Sequence, residues 1–296
     1  MLTVNLIGGL GNQMFQYAFG KSLSVQRKLS IKYDLTDLLD RTPKEQFTFR
    51  DFELGIFNVS VEPASAAELN IYKYQPVTLV ERINYRLVRK IKKATVFVEK
   101  QDYVFDTSVF RTSPNTYFNG YWQNEHYFLP CEEVIRRDFT FKQALTGENE
   151  RLAVEITETN AIAIHVRRGD YISIALSNQV HGTCSIEYYQ QAVQLICQRV
   201  ANPTLFVFSD EPDWVKANLV FDLPTTYISH NVGANSFEDM RLMSLCKHNI
   251  IANSSFSWWG AWLNINPEKI VIAPSQWMQL AGVDSTDLIP KEWIRL

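Results

Sequence analysis

The chain has 296 residues, of which 46% are hydrophobic and 13% are aromatic, so it has enough apolar material for one large domain or two ordinary ones. Its formal net charge of −3 argues against a general nucleic-acid binder, because such proteins carry an excess of basic residues. The four cysteines are widely spaced and form no C-x-x-C pair, so the sequence indicates neither a zinc site nor a redox motif.

No segment predicts export or a membrane span. The N-terminus lacks the basic flank and long apolar core of a signal peptide. No apolar run approaches the roughly 18–20 residues that a bilayer-spanning helix needs. We therefore expect a cytoplasmic protein, which a membrane-bound partner could still meet at the surface.

The chain begins with a predicted β–glycine turn–α–β unit, with strands at residues 2–7 and 29–33 and a helix at residues 14–28. Gly9 and Gly11 supply the G-x-G of a dinucleotide-binding turn, and Asp34 lies at about the distance expected of the acid that binds ribose. Met14 stands where the third glycine belongs, however, and that glycine normally allows close packing of helix on strand. A tight turn that simply needs glycine is a second interpretation.

A ligand-binding loop is the third interpretation of this turn. Asn12 and Gln13 stand at the start of the predicted helix, where backbone N–H groups are free. We favour this interpretation, because an amide pair at a helix N-terminus suits an anionic or hydroxylated ligand.

Residues 36 to about 125 show few clear elements, but they contain a basic amphipathic stretch. Ile83, Leu87 and Ile91 recur at every fourth residue and Val88 joins them, which predicts an apolar helical face. Much of the remaining surface is cationic, through Arg82, Arg86, Arg89, Lys90, Lys92 and Lys93. One interpretation is a solvated helix that packs its apolar face on the first domain. The other is a surface that meets anionic lipid at the inner membrane face.

A domain boundary is predicted near residues 140–160, which divides the chain into residues 1–150 and 151–296. After it, strands and helices alternate, which predicts a parallel sheet covered on both faces. The predicted strands are 161–166, 204–208, 226–228, 249–252 and 269–272, and the helices are 186–200, 212–218, 236–246 and 255–264.

The stretch after the first of these strands is the most informative part of the chain. His165 and Arg167 share one face of the strand, because Val166 between them points away. Arg168 and Asp170 stand in the turn at the carboxyl end of the strand, where open α/β sheets bind ligands. A guanidinium there suits a phosphate, which it can grip through two parallel hydrogen bonds. An arginine–aspartate ion pair that caps the strand is the alternative.

Further polar turns follow neighbouring strands at the same edge. Asn253, Ser254 and Ser255 stand in a row although helix capping needs only one of them, so they predict an anion site at a helix end. Asp210 and Asp239 could accept hydrogen bonds from a guanine or a ribose, although capping of a helix dipole is the alternative. Because no D-x-D triplet occurs, Arg167 and helix N-termini could neutralise a leaving diphosphate without a bridging metal.

Several blocks together resemble the signature of bacterial α1,2-fucosyltransferases. They are residues 8–18 (GGLGNQMFQYA), 165–171 (HVRRGDY) and 253–260 (NSSFSWWG), with residues 181–185 and 208–210 matching in the same order. The likeness runs from residue 2 to about residue 293 and is weakest between residues 36 and 115.

The resemblance implies an α/β chain of GT-B type, with two Rossmann-like domains facing a cleft. It implies GDP-β-L-fucose as donor, a galactose-terminated glycan as acceptor, an inverting mechanism, and no metal or cofactor. The N-terminal domain would lie on the acceptor side and the C-terminal domain would bind the donor, in synthesis of an O-antigen-type polysaccharide. Transfer to a different hydroxyl or to a protein is the alternative.

The resemblance also implies residue roles. Arg167 would bind the β-phosphate and bridging oxygen, and Asn12 would reach the fucose and phosphate. Asp170 completes the catalytic set as an orienter of the arginine pair, because pairing with arginine lowers a carboxyl pKa and makes a poor base. Donor contacts would come from Gly9, Gly11, Gln13, His165, Arg168, Ser209, Asp210, Asp239, Asn253, Ser254, Ser255 and Phe256.

Two other protein classes stay open at this point. One is an NAD-dependent oxidoreductase, which would use the Gly9–Gly11 turn and Asp34. The other is a non-catalytic sugar-binding protein, which would need neither Arg167 nor a nucleotide site.

Overall fold

A computed structural model describes residues 1–42, 49–169, 172, 180, 182–280 and 282–296. The chain divides into two compact units, each built on its own parallel sheet. The first unit comprises Met1–Gln143 with Thr286–Leu288, and the second comprises Ala144–Ser285 with Ile289–Leu296.

The first unit contains a four-stranded sheet in the order β2-β1-β4-β3, with every pairing parallel. Its strands are β1 Leu2–Asn5, β2 Ile31–Asp34, β3 Ala94–Val98 and β4 Asn115–Asn119. Its helices are α1 Leu10–Arg27, α2 Thr36–Leu39, α3 Ala66–Lys73, α4 Leu79–Ile91 and α5 Glu132–Asp138. Helix α1 begins earlier than predicted, because Gly9 is extended and serves as its N-cap. The ring of Phe19 in α1 stacks 4.2 Å from that of Trp122, so aromatic packing fills the core.

The second unit contains a six-stranded sheet in the order β10-β9-β8-β5-β6-β7, again with every pairing parallel. Its strands are β5 Asn160–Val166, β6 Pro203–Ser209, β7 Thr225–Ile228, β8 His248–Ile250, β9 Val271–Ala273 and β10 Ile294–Arg295. Its helices are α6 Gly147–Glu158, α7 Ile186–Cys197, α8 Pro212–Asn218, α9 Phe237–Leu245 and α10 Ser255–Leu263. Trp258 and Trp259 of α10 are fully buried, so they belong to the core.

Each sheet has a point where the direction of strand addition reverses. In the first unit the chain passes from β1 to β2, and then places β3 and β4 on the other side of β1. In the second unit it passes from β5 to β6 and β7, and then places β8 on the other side of β5. Ligands of open α/β sheets bind outside the carboxyl ends of strands at such reversals. The ends of β1 and β4, and of β5 and β8, are therefore the expected ligand sites.

The predicted α/β chain with two units, each built like a Rossmann fold on a parallel sheet, is confirmed. In the parts of the chain that the structure describes, no helix is both long and apolar enough to cross a membrane.

Candidate active site

The turn after β5 holds a pre-organised arginine. Arg167 Nη1 lies 3.1 Å from Asp210 Oδ2, and the backbone N–H groups of Arg168 and Gly169 donate to the same carboxylate at 3.0 Å each. Asp210 directly follows β6, the parallel neighbour of β5. Arg167 is therefore ion-paired with the acid that follows the neighbouring strand. Asp170, predicted as the partner, lies outside the described residues.

Close approach of this carboxylate depends on a glycine. A Cβ at Gly169 would lie 2.9 Å from Asp210 Oδ2, which is closer than real Cβ contacts. Any larger residue would push the carboxylate away from the backbone N–H groups that it accepts from. Asp210 thus positions Arg167, and its predicted donor contact stays a prediction.

The neighbouring arginine is occupied by packing. The guanidinium carbon of Arg168 lies 3.3 Å from the ring centroid of Trp214, and Nε lies 3.8 Å from Glu211 Oε2. Ser209 Oγ accepts a hydrogen bond from the backbone N–H of Glu211 at 3.0 Å, which shapes the same turn. Arg168 and Ser209 therefore support the turn, and Arg167 is the arginine available to hold an anion.

His165 connects β5 with the start of α10 across the reversal of the second sheet. Its ring is 95% buried and lies 5.7 Å from the ring of Phe256. Burial, and then the charge of Arg167, lower the pKa of His165 to about 3, so the imidazole is neutral at physiological pH. Among the described residues, Nδ1 has no hydrogen-bond partner. The ring is thus a neutral, buried group at the carboxyl end of β5.

The N-terminus of α10 lies beside this histidine. Ser254 is the N-cap in an extended conformation, but its side chain makes no capping hydrogen bond. The first turn, which begins at Ser255, also contains no acidic residue. In the part of the chain that the structure describes, the helix thus supplies neither a side-chain cap from Ser254 nor an acidic residue of its own first turn, which suits an anionic ligand.

Asn253, the residue before the N-cap of α10, bonds to other segments of the chain. Its Nδ2 donates to the carbonyl oxygens of Gly182 and Trp277 at 3.2 Å, and its Oδ1 lies 3.6 Å from Cys184 Sγ. The side chain is 3% exposed. Asn253 therefore ties three chain segments together next to the helix end, and its predicted donor contact stays a prediction.

Asp239 lies in the first turn of α9, after β7 at the carboxyl edge of the second sheet. Its Oδ1 accepts from Asn231 Nδ2 at 2.8 Å, and Asn231 is held in turn by Asn149. Burial raises the pKa of Asp239 to about 7, with a smaller contribution from the charge of Glu238. This carboxyl group changes charge near neutral pH.

The glycine turn of the first unit places Asn12 at the reversal between β1 and β4. Asn12 Oδ1 accepts from Gln123 Nε2 at 2.7 Å, and Gln123 follows β4. Gly8 has a left-handed backbone (φ 79°), and a Cβ there would lie 2.5 Å from Asn12 Nδ2. Arg50 lies over Gly9, with Nε 3.8 Å from the place of a Cβ. Asn12 is half-buried and lies at this reversal of the first sheet.

Gln13, predicted as a donor contact, instead holds the loop together. It is fully buried, and its Nε2 donates to the carbonyl oxygens of Gly8 and Asp51 at 2.8 Å each. Its Oε1 accepts from the backbone N–H of Glu53 at 3.0 Å. Because every polar atom of the amide is used inside the fold, the donor contact predicted for Gln13 needs correction. Gly11 is likewise buried in the first helical turn.

Asp34 does not supply the ribose-binding acid of a dinucleotide site. It is fully buried, lies 2.6 Å from Lys73 Nζ and accepts from Tyr117 Oη at 2.7 Å and from Thr36. These bonds outweigh the effect of burial and hold its pKa below the ordinary value. The oxidoreductase interpretation therefore loses its key residue.

Sequence patterns missed three residues that shape these sites, namely Gln123, Trp214 and Asn231. Gln123 had a usable signal, because it follows a buried strand and a glycine, as Asn12 does. Trp214 and Asn231 had none, since their partners are defined only by the fold.

A metal centre was not predicted. In the described part of the chain, no group of three or more His, Cys, Asp or Glu side chains could hold a metal ion. Arg167 and the α10 N-terminus are the positive groups at the β5–β8 reversal.

The fold and these two reversals define an α/β protein that presents polar and cationic groups at both sheet edges. The family model of glycosyl transferase family 11 matches residues 67–296. The α1,2-colitosyltransferase of Escherichia coli is 36% identical, covering 100% of this chain and 99% of the relative. The O-antigen biosynthesis glycosyltransferase WbnK of Escherichia coli is 33% identical, covering 98% and 99%. Human galactoside α-(1,2)-fucosyltransferase 1 is 26% identical, covering 46% and 40%.

The chain therefore belongs to glycosyl transferase family 11 and is a glycosyltransferase. The resemblance seen in the motifs is confirmed at the level of the family.

Proposed function

We propose that the protein transfers L-fucose from GDP-β-L-fucose to the 2-hydroxyl of a terminal galactoside. The reaction takes place in the cytoplasm, as a step in the synthesis of an O-antigen-type polysaccharide. The observation that carries the proposal is Arg167, held by Asp210 at the β5–β8 reversal, the same edge of the second sheet at which α10 begins.

In this mechanism the acceptor hydroxyl attacks the anomeric carbon of fucose, the bond to the diphosphate breaks, and the proton of the hydroxyl passes to water. Attack from the opposite face inverts the β-linkage to an α-linkage. Negative charge grows on the departing GDP, and Arg167 with the N–H groups at the start of α10 stabilises it. Because Asp210 already holds the guanidinium, little reorganisation is needed as the charge develops.

The remaining polar groups of the second unit bind the nucleoside. Asp239 accepts hydrogen bonds from the guanine, and Asn231 orients it. His165, whose ring lies against that of Phe256, contacts the guanosine. In the first unit, Asn12 contacts the fucose and phosphate, and Gln123 fixes the direction of its amide.

Colitose is a second candidate for the sugar that the donor carries. The relative at 36% identity is a colitosyltransferase, and colitose lacks one hydroxyl of fucose. A GDP-colitose donor would place the same groups on the GDP and differ only around the sugar.

Product analysis tests both candidates. The protein is incubated with GDP-fucose or GDP-colitose and a panel of soluble galactosides, and the linkage of each product is determined. We expect a 1→2 linkage from GDP-fucose. A product linked at another hydroxyl, or transfer from GDP-colitose alone, contradicts the proposal.

A further inference from the structure

Helix α4 shows an arrangement that is unusual for a helix of a globular unit, because its apolar side is the exposed side. It contains no buried residue. Ile83 is 57% exposed, and Leu79, Val80, Leu87 and Ile91 are between 54% and 72% exposed. The interpretation that this helix packs its apolar face on the first unit is therefore wrong. An amphipathic helix with a bare apolar face needs another surface to cover it.

Helix α4 is nevertheless attached to the rest of the first unit, through the side that carries Tyr85. Tyr85 donates its hydroxyl to the carbonyl oxygen of Ile71 at 2.9 Å, and its ring lies 5.7 Å from that of Tyr74. The carbonyl oxygen of Lys92, just beyond the helix, accepts from Asn115 at 3.1 Å. Both ends of α4 are thus defined, and a capping box at Thr78 fixes the first turn.

Beside the apolar stripe lies a cationic cavity of about 500 Å³. It is lined by Arg86, Arg89, Lys90, Lys93, Ala94, Thr95, Ser113 and Pro114, none of which is acidic. On a helix with about 100° between residues, Arg86 and Lys90 border Ile83 and Leu87. The cavity and the apolar stripe therefore form one continuous surface.

We propose that this surface docks on an anionic lipid bilayer. The apolar stripe of α4 enters the boundary between headgroups and acyl chains, and the cavity takes lipid phosphate groups. Arginine and lysine can reach the headgroups while their aliphatic stems stay on the apolar stripe.

Charge complementarity favours an anionic bilayer, rather than a second copy of the chain, as the partner of this surface. Between residues 78 and 93 there are six basic residues and one acidic residue, Glu81. Glu81 is engaged in the capping box at Thr78. Two copies meeting on α4 would bring two cationic surfaces together, which is unfavourable. An anionic bilayer supplies both the phosphate groups and the apolar layer.

Co-sedimentation of the full chain tests the proposal. Vesicles of phosphatidylcholine alone are compared with vesicles that also contain phosphatidylglycerol, at low and high salt. The cavity variant changes Arg86, Lys90 and Lys93 to Gln and leaves Arg89, which lies over Tyr85. The control variant changes Lys28, Arg199 and Lys216 to Gln, removing the same three charges from exposed positions elsewhere. Lys28 also shares the positive φ of Lys93, so the two variants are matched in backbone strain.

We expect the wild-type protein to bind only the anionic vesicles and to be released as salt rises. The cavity variant should bind at least about tenfold more weakly, and the control variant should bind like wild type. A second variant, Ile83→Gln with Leu87→Gln, should also bind weakly, while all variants keep their activity on a soluble galactoside.

Three results would overturn the proposal. They are a wild-type protein that ignores anionic vesicles at low salt, a control variant that loses as much binding as the cavity variant, and a wild-type dimer that Ile83→Gln with Leu87→Gln converts to a monomer in sedimentation velocity. Because vesicle binding needs no turnover, these results leave the proposed function untouched.

Discussion

At the scale of single residues, two adjacent arginines make different contacts. Arg167 is ion-paired at the edge of the site, whereas Arg168 lies on the ring of Trp214. Arg167→Ala should lower kcat by about 10²–10³, the usual cost of losing one pre-organised charge-stabilising donor. Arg167→Lys should restore little, because lysine cannot make two parallel hydrogen bonds. Initial rates with GDP-fucose measure this, and Arg168→Ala is the matched control, which should lose far less.

The same arginine leads to a prediction about metals. The sequence has no D-x-D triplet, and Arg167 with the α10 N-terminus supplies the positive charge that a diphosphate needs. Activity should therefore survive excess EDTA. A complete loss that Mn²⁺ or Mg²⁺ reverses in the rate assay would show that the diphosphate is bound differently.

Asp239 predicts a pH dependence of nucleotide binding. Burial raises its pKa to about 7, and only the charged carboxylate accepts two hydrogen bonds from guanine. GDP affinity should therefore rise as pH increases through about 7 and level off above it. Calorimetric titration with GDP across this range measures the effect. Asp239→Asn should bind GDP weakly at every pH, whereas the adjacent Glu238→Gln should keep the pH dependence.

At the scale of elements, the glycine turn before α1 separates two amides that look alike in sequence. Gln13→Ala should destabilise the protein by about 2–3 kcal/mol, because the part-buried Glu53 N–H and the carbonyl groups of Gly8 and Asp51 lose this amide as a partner. Asn12→Ala should cost about 1 kcal/mol or less, since the side chain that it truncates is half-buried and exposed to water.

Urea unfolding and initial rates distinguish these two effects. Asn12→Ala should lose activity at nearly full stability, and Gln13→Ala should lose stability first. The opposite result would show that Gln13, and not Asn12, faces the ligand.

Elements in the second half of the chain were predicted more closely than those in the first. The helix predicted at residues 212–218 is observed as Pro212–Asn218, and the helix at 186–200 as Ile186–Cys197 with Ser185 as its capping residue. Strands β3 and β4 were not predicted, because their polar and aromatic residues lack a clean alternation. Short strands such as β10 depend on pairing with a neighbour rather than on local pattern.

At the scale of the whole molecule, the proposed donor groups Arg167, Asp239 and Ser254 all belong to the second unit. A fragment of residues 144–296, once shown to be folded by circular dichroism, should therefore bind GDP but transfer no fucose. Calorimetry measures the binding. A folded fragment with no affinity for GDP would place part of the donor site in the first unit.

The sequence by itself determined the class of the fold, the family and the local stretches that carry polar groups. These properties depend on residues that are close together in the sequence. Examples are the alternation of strands and helices after residue 160, the arginine pair after β5 and the row of polar residues before α10. Periodicity and motif spacing are local, so no knowledge of the fold is needed to read them.

Only the tertiary structure decided which partners those polar residues have inside the fold. Asp210 reaches Arg167 because β6 pairs in register with β5, and Gln123 reaches Asn12 because β4 lies beside β1. Gln13 is closed in by a loop some 40 residues away in sequence. Such partners are chosen by sheet register and core packing, which depend on the whole chain at once, so spacing along the sequence cannot reveal them.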